Sequence, residues 1–384
     1  MNLNIVFLAL TYLFYFGHMG VIAPYLGVFL DGRGLPSTAI GELMAIMTIA
    51  RLIAPNLWAA VADKSGNGLQ IIRIGCVLAL ATFVVLFYVD GFWGIAMCMA
   101  FSFGFWTSVI PQLEPLTLHE VKGDSARYSR VRLWGSIGFI CMSVTGGLLI
   151  DIYGSEVVLV CSTLMLSLLL MISFILRDTR VHHKAEARDG SVWQKVFTQP
   201  FLVFIFMATL LQMSFGTYYG FFALYMRDLG YTGQQTGWFI SLGVIAEIFV
   251  FLVAGKMLAR VGVKYALILC MLATMLRWII LAEWADYMVA IMLSQSIHAL
   301  SFGFAHATSM QFIHHHFGKH FQNQGQALYV SISFGLGGSI GSFVAGQFWA
   351  QGTGSYVAWW ISAAIAVVGA MAGFLLHKDA IKVT

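Results

Sequence analysis

Long apolar segments recur along the whole of this 384-residue sequence, and they restrict the fold more than any other feature. A membrane-crossing helix needs about 20 apolar residues, or about 25 when it is tilted. Segments of this length, bounded by charges, glycine or proline, predict helices at 5–31, 36–62, 69–90, 92–120, 126–152, 154–177, 199–227, 232–258, 263–282, 287–318, 322–349 and 355–377. The sequence therefore predicts an all-α integral membrane protein with twelve transmembrane helices.

Composition excludes the main alternative classes. Only 10% of the residues are charged, whereas soluble domains carry about 25%. The apolar runs lack the period-two alternation of an outer-membrane β-strand, so a β-barrel is excluded as well. The five cysteines lack metal-ligand spacing, and no motif for a nucleotide, a cofactor or a nucleophile is present. We expect no enzyme activity, no metal, no cofactor and no nucleic-acid partner.

The basic residues predict the orientation in the membrane. Of the 21 Lys and Arg residues, only Arg33 and Arg227 fall in loops after odd-numbered helices, while Arg51, Arg132 and Arg277 lie inside helices. All others lie at loops or ends that share one side, which the positive-inside rule assigns to the cytoplasm. We expect a multi-pass protein of a bacterial inner membrane with both termini in the cytoplasm.

The middle of the chain carries its only long polar segment, DTRVHHKAEARDGSVWQKVFTQ. This segment predicts three parts: an N-terminal six-helix bundle at 1–177, a cytoplasmic linker at 178–198 and a C-terminal six-helix bundle at 199–384. A shift of 196 residues lays Gly34 on Gly230 and aligns the loops around them. Such a weak internal repeat is typical of two pseudo-symmetric bundles that rock about a central site.

The same shift aligns two further loops, AAVADKSGNG and AGKMLARVGVK. They resemble the loop motif of the major facilitator superfamily, in which an Asp, a basic residue and a glycine follow the second helix. The residues of the first copy that fit are Asp63, Lys64 and Gly66. An Asp at a helix end with an adjacent cation can pair with a neighbouring helix and stabilise one of two access states. An interfacial charge pair that only fixes topology is the alternative.

Ionisable residues inside the predicted helices are few, although each costs about 2.5 to 3.5 kcal/mol at a helix centre unless it faces protein or water. They are Arg51, Glu114, Arg132, Glu247, Arg277, His298 and His306. The 196-residue shift places Glu247 on Arg51, which predicts a charge pair between the bundles. A purely structural salt bridge is the alternative interpretation of that pair.

Glu114 and Arg132 are separated by 18 residues across one short loop, so two antiparallel helices can bring them together. Their contexts, PQLEPLTLHE and VRLWGS, resemble those of the substrate-binding Glu and Arg in the lactose permease family. The whole chain is more similar to the phenylpropionate permease branch of the superfamily. That resemblance rests on VRLWGS, YYGF at 218–221, SLGVIAE at 241–247, Arg277 with the Trp that follows it, and the two histidines of the tenth helix.

The resemblance implies roles for individual residues. It implies that Glu114 and Arg132 bind the substrate, and that Phe139 occupies the position of a sugar-stacking Trp. It also implies proton coupling by Glu247, Arg277, His298 and His306. Ser301 replaces the main proton-carrying Glu of the lactose permease family. By elimination, Glu114 or Glu247 carries the proton, assisted by His298 or His306. Buried structural histidines are the alternative for the last two.

Tyr218 and Tyr219 are candidates to line an aromatic substrate cavity, although packing aromatics are equally common in membrane helices. We predict a monomeric, proton-coupled symporter of a small organic solute that works by alternating access, with an aryl carboxylate as the first choice. An oligosaccharide or nucleoside symporter is the runner-up. A non-transporting sensor or scaffold is the alternative of another class.

Overall fold

The computed structural model describes residues 3–65, 67–178 and 192–376, and all regular secondary structure among them is helical. Twelve helices are long and apolar enough to span a membrane, as predicted. We name them α1 (Leu3–Gly32), α2 (Ser37–Ser65), α3 (Gly68–Phe87), α4 (Phe92–Glu120), α5 (Ser125–Tyr153), α6 (Val157–Ile175), α7 (Gln199–Asp228), α8 (Gly233–Val261), α9 (Val263–Trp284), α10 (Met288–Gly318), α11 (Phe321–Gly352) and α12 (Ser355–Gly373). Most bounds lie within three residues of the prediction.

Four of these helices are interrupted. α4 breaks at Thr107 and Ser108, and α7 breaks at Phe215. α10 and α11 widen into π-helical turns at Ala299–Phe304 and Val330–Gly337. The break in α4 has a local cause, because the ring of Pro111 would clash with the carbonyl of residue 107 in a continuous helix. The other three interruptions contain no proline.

The chain forms two compact units. The first takes in the chain up to Leu35, the part from Ile49 through α6, and the segment Tyr231–Trp238. The second takes in Pro36–Thr48, the segment from α7 to Gly230, and the chain from Phe239 onward. Each unit therefore includes the first turns of one helix that continues in the other unit.

The first unit is built around α1, which packs against α5 and α6. Glycine makes this packing close: a Cβ atom at Gly138 would overlap the carbonyl oxygen of Leu13, and one at Gly20 would overlap the backbone of Phe139. Small residues at a membrane-helix interface permit such approach and so supply van der Waals contact where no hydrophobic driving force acts.

Gly138 therefore supports a stability prediction. We expect Gly138→Ala to destabilise the protein by about 1 to 3 kcal/mol, because the new methyl group meets backbone and forces α1 and α5 apart. Gly255→Ala is the matched control, since no atom of the described residues lies within 4 Å of a Cβ atom there. Thermal unfolding in detergent measures both variants. Equal melting temperatures would contradict the packing described here.

In each unit, side chains of other helices donate hydrogen bonds to backbone carbonyls at or just after the end of α6 or α12. In the first unit, Arg73 of α3 donates hydrogen bonds to the backbone carbonyls of Ser173, Phe174 and Leu176. The side-chain amide of Asn4 donates to the carbonyl of Arg177. In the second unit, Lys264 and Gln199 donate to the carbonyls of Phe374, Leu375 and Leu376, which directly follow α12. The last carbonyls of a helix lack partners within it, and a nearby cation also suits the helix dipole. The first and third helices of each half supply these donors, although the 196-residue shift aligns Arg73 with Leu269 and not with Lys264.

Asp151 caps the first turn of α8 within the first unit. Its Oδ1 and Oδ2 accept hydrogen bonds from the backbone N–H groups of Gly233 at 2.7 Å and Gln234 at 3.0 Å. The Tyr25 hydroxyl donates to the carbonyls of Ser143 and Gly233 at 2.6 and 3.0 Å. A carboxylate at a helix N-terminus satisfies donors that have no partner inside the helix.

Candidate functional site

The hairpin of α4 and α5 positions the first cluster of polar groups. Lys122 and Gly123 adopt positive φ angles of 57° and 73°, which turn the chain tightly after α4. Asp124 then begins α5 by accepting hydrogen bonds from the backbone N–H groups of Ala126 and Arg127 at 2.9 and 3.0 Å. The Arg127 N–H is the main cause that lowers the pKa of this carboxyl.

This hairpin brings Glu114 and Arg132 together. The Nε atom of Arg132 lies 3.9 Å from Oε1 of Glu114, and the two side chains are 36% and 41% exposed. At this distance the contact is an ion pair at the outer limit, without a hydrogen bond. Arg132 therefore keeps donors available for another acceptor.

Aromatic rings of α1 lie against this pair. The Arg132 guanidinium lies over the rings of Phe16 and Tyr12, at 4.4 and 5.4 Å from their centroids. Tyr128 lies close enough to interact electrostatically with both charges. Phe139 lies two turns beyond Arg132 on the same face of α5 and is half-buried. The first unit thus presents a partly exposed charge pair bordered by rings.

A second cluster lies in the second unit and is largely buried. His298 Nε2 of α10 lies 2.6 Å from Oε1 of Glu247 of α8, with the side chains only 9% and 15% exposed. The ring of Phe302 stacks on His298 at a centroid distance of 5.3 Å. His298 and Glu247 are 51 residues apart in the chain.

Arg277 belongs to the same cluster and is fully buried. Its guanidinium lies over Tyr218, Trp278 and Phe215, at 4.3, 4.5 and 5.3 Å from the ring centroids. Its Nη2 donates to Oε1 of Gln295 at 3.2 Å, and the Tyr218 hydroxyl donates to the same oxygen at 2.9 Å. The guanidinium of Arg277 therefore contacts three aromatic rings and one amide oxygen instead of a carboxylate.

Gln295 is the polar residue of this cluster that the sequence analysis missed, and the rings of Phe215 and Phe302 were not predicted either. It is fully buried and lies one turn before His298 on α10. Gln295 is uncharged, whereas the polar residues predicted for this cluster, apart from the tyrosines, are ionisable near neutral pH. A polar amide one turn from a helix-embedded histidine was the signal that could have identified it.

Tyr219 and His306 lie at the border of the cluster. Tyr219 packs its ring on Phe215 and Tyr218 with centroid separations of 5.6 Å. His306 lies beyond the wide turns of α10 and interacts electrostatically with Glu247. Wide turns take more residues each than α-helical turns, so they change the face on which His306 emerges relative to His298.

Four sequence-predicted residues cannot be placed at a site. The side chains of Arg51, Asp63 and Lys64, and the whole of Gly66, lie outside the described residues. The predicted Arg51–Glu247 pair and the loop motif therefore stay predictions. The contact that the structure shows for Glu247 is the one with His298.

Twelve helices that are long and apolar enough to cross a membrane, with polar clusters inside both units, define a polytopic membrane protein. Residues 5–361 match the family described as the MFS_1 like family. The chain belongs to this family of the major facilitator superfamily and is a transporter, not an enzyme.

Relatives of known name are similar over most of the chain. A protein of Escherichia coli (strain K12) named "Probable 3-phenylpropionic acid transporter" is 29% identical over 343 residues, which cover 87% of each chain. The maltose permease of Geobacillus stearothermophilus is 24% identical over 88% of this chain and 86% of that protein. The crystal structure of the nucleoside transporter NupG superimposes with a TM-score of 0.84 at 18% identity, covering 98% of this chain and 99% of that one.

Proposed function

We propose that this protein is a proton-coupled symporter that carries a small aromatic carboxylate across a bacterial inner membrane by alternating access. The observation that supports this most is the partly exposed Glu114–Arg132 pair bordered by aromatic rings. The name of the Escherichia coli relative favours the same substrate class.

Arg132 is the proposed partner of the substrate carboxylate. A guanidinium binds a carboxylate through two parallel N–H···O bonds, which are stronger than neutral hydrogen bonds. The rings of Phe16 and Tyr12 would cover an aryl group beside it. Glu114 competes with the substrate for Arg132, and a proton on Glu114 removes that competition. Anion binding and protonation therefore favour each other.

The proposed orientation follows from the charge distribution. The strong excess of Lys and Arg on one side supports cytoplasmic termini, and the protein would act as a monomer. Its partners would be the lipid bilayer, the solute and protons.

Competition for uptake tests the substrate class. In proteoliposomes containing the purified protein, we expect uptake of labelled 3-phenylpropionate to be inhibited by other aryl carboxylates. The amide of the same acid, maltose and uridine should have little effect, because they lack the charge that Arg132 pairs with. Transport of maltose or uridine in place of the acid would favour the runner-up, in which Glu114 and Arg132 bind hydroxyl groups. A protein that transports none of these would favour the sensor or scaffold.

A further inference from the structure

The buried cluster of the second unit contains several nitrogen atoms without a hydrogen-bond partner. In the described part of the chain, Nε and Nη1 of Arg277, Nε2 of Gln295 and Nδ1 of His298 all lack one. The residues themselves are 0%, 0% and 7% exposed. Buried polar atoms normally find partners, so a concentration of unpartnered nitrogens around one buried cation indicates an absent acceptor.

The charges of the cluster depend on a single proton. Arg277 carries one positive charge, and among the described residues no carboxylate lies within salt-bridge distance of it. Glu247 supplies the compensating negative charge from its contact with His298. With Glu247 ionised and His298 neutral, the cluster is therefore neutral overall. One proton added to the Glu247–His298 pair leaves a buried net positive charge.

The same proton also changes the hydrogen-bonding capacity of the cluster. In a neutral imidazole that donates to Glu247 through Nε2, the Nδ1 atom is an acceptor. In an imidazolium both nitrogens are donors. Among the described residues, the other titratable groups that interact electrostatically with Glu247 are His306 on α10, Tyr218 on α7 and Arg277 on α9.

We propose that Arg277, Gln295 and His298 form a second carboxylate-binding subsite, which is filled when the Glu247–His298 pair carries a proton. The subsite rests on the proposed function and adds to it a place in the second unit where proton and anion meet. Its donors are the unpartnered Nε and Nη1 atoms of Arg277 and the Nε2 atom of Gln295. Nδ1 of His298 becomes a further donor when that ring is protonated. The rings of Tyr218, Trp278 and Phe215 suit an aryl carboxylate.

Helix interruptions adjoin the subsite on two sides and supply its means of opening. The π-helical turns Ala299–Phe304 follow His298 directly, and the break of α7 at Phe215 precedes Tyr218 by three residues. Helices bend most readily where the regular hydrogen-bond ladder is already broken. Small movements at these two points would admit an anion to Arg277 without disrupting α-helical turns.

Thermodynamic linkage tests the subsite directly. We would measure the Kd of labelled 3-phenylpropionate for the purified protein between about pH 6 and 8.5, where the free acid is ionised. Each proton taken up with the anion makes Kd change by about tenfold per pH unit. We expect Glu247→Gln to take up about one proton fewer with the anion than the wild type does. Its Kd at high pH should equal the Kd of the wild type at low pH.

Three further variants show which residues the proton linkage depends on. Arg277→Gln should lose the same proton linkage and bind the anion more weakly, whereas Arg277→Lys should retain the linkage because it keeps the charge. Arg132→Gln should weaken binding and lose only the share of the linkage that comes from Glu114, so the proton taken up by the Glu247–His298 pair should remain. Arg227→Gln, at an exposed arginine outside both clusters, is the control and should change neither quantity. A melting curve of each variant confirms that it is folded.

The outcomes separate the subsite from the proposed function. If the wild type binds 3-phenylpropionate but Glu247→Gln keeps the full linkage, the subsite is wrong and the proposed substrate class stands. The same holds if Arg277→Gln retains both affinity and linkage. If the wild type binds no carboxylate, both proposals are overturned.

Discussion

Replacing Arg132 with glutamine should reduce the uptake of an aryl carboxylate by about a hundredfold, which corresponds to about 2.7 kcal/mol of lost binding. The reason is the loss of a paired, charge-assisted contact with the substrate. The side chain of Arg132 is 36% exposed and contacts Glu114 only at 3.9 Å, so the variant should still fold and insert. Uptake by proteoliposomes with matched protein content measures the effect.

Arg130→Gln is the matched control for this variant. Arg130 lies on the same helix and is exposed, and its Nε donates to the backbone carbonyl of Ala126 at 3.4 Å. We expect near wild-type uptake from it. Glu114→Gln should also abolish active uptake while leaving insertion intact. Normal uptake by both the Arg132 and the Glu114 variants would remove this pair from the transport site.

Gln295→Leu should lower the free energy of unfolding by about 3 kcal/mol, although leucine has nearly the same size as glutamine. The Gln295 oxygen is the acceptor for both the Tyr218 hydroxyl and Arg277, and all three groups are buried. Its removal leaves a buried cation and a buried hydroxyl without an acceptor. Thermal unfolding in detergent is the measurement.

Gln295→Glu is the informative partner of this variant. It restores the acceptor and adds the negative charge that Arg277 lacks, so it should unfold at or above the wild-type temperature near neutral pH. If Gln295→Leu is as stable as the wild type, Arg277 and Tyr218 have other acceptors and the network described here is wrong.

The sequence was sufficient where the determining interactions are local. The twelve helices follow from runs of apolar residues, and the bounds of α4 and α5 were predicted to within one residue. The meeting of Glu114 and Arg132 could be anticipated because only the tight turn at Lys122 and Gly123 separates their helices. An antiparallel hairpin fixes which residues face each other.

Contacts between helices that are distant in the chain could not be predicted in this way. The Glu247–His298 contact joins α8 to α10, and its register depends on how α8, α9 and α10 pack. Gln295 is uncharged, so its place beside Arg277 leaves no charge signal in the sequence. The interruptions of α7, α10 and α11 contain no proline. Gly216, Gly303 and Gly335 lie at or beside them, but glycines also lie inside unbroken helices and so did not locate these interruptions.

Proton movement during substrate entry tests the central claim, that this transporter couples an organic anion to protons. In de-energised proteoliposomes with a weakly buffered medium, addition of 3-phenylpropionate should make the medium transiently alkaline. A protonophore should abolish the signal, and protein-free liposomes should lack it. Uptake of the substrate without any change in external pH would contradict the account and indicate a uniporter or coupling to another ion.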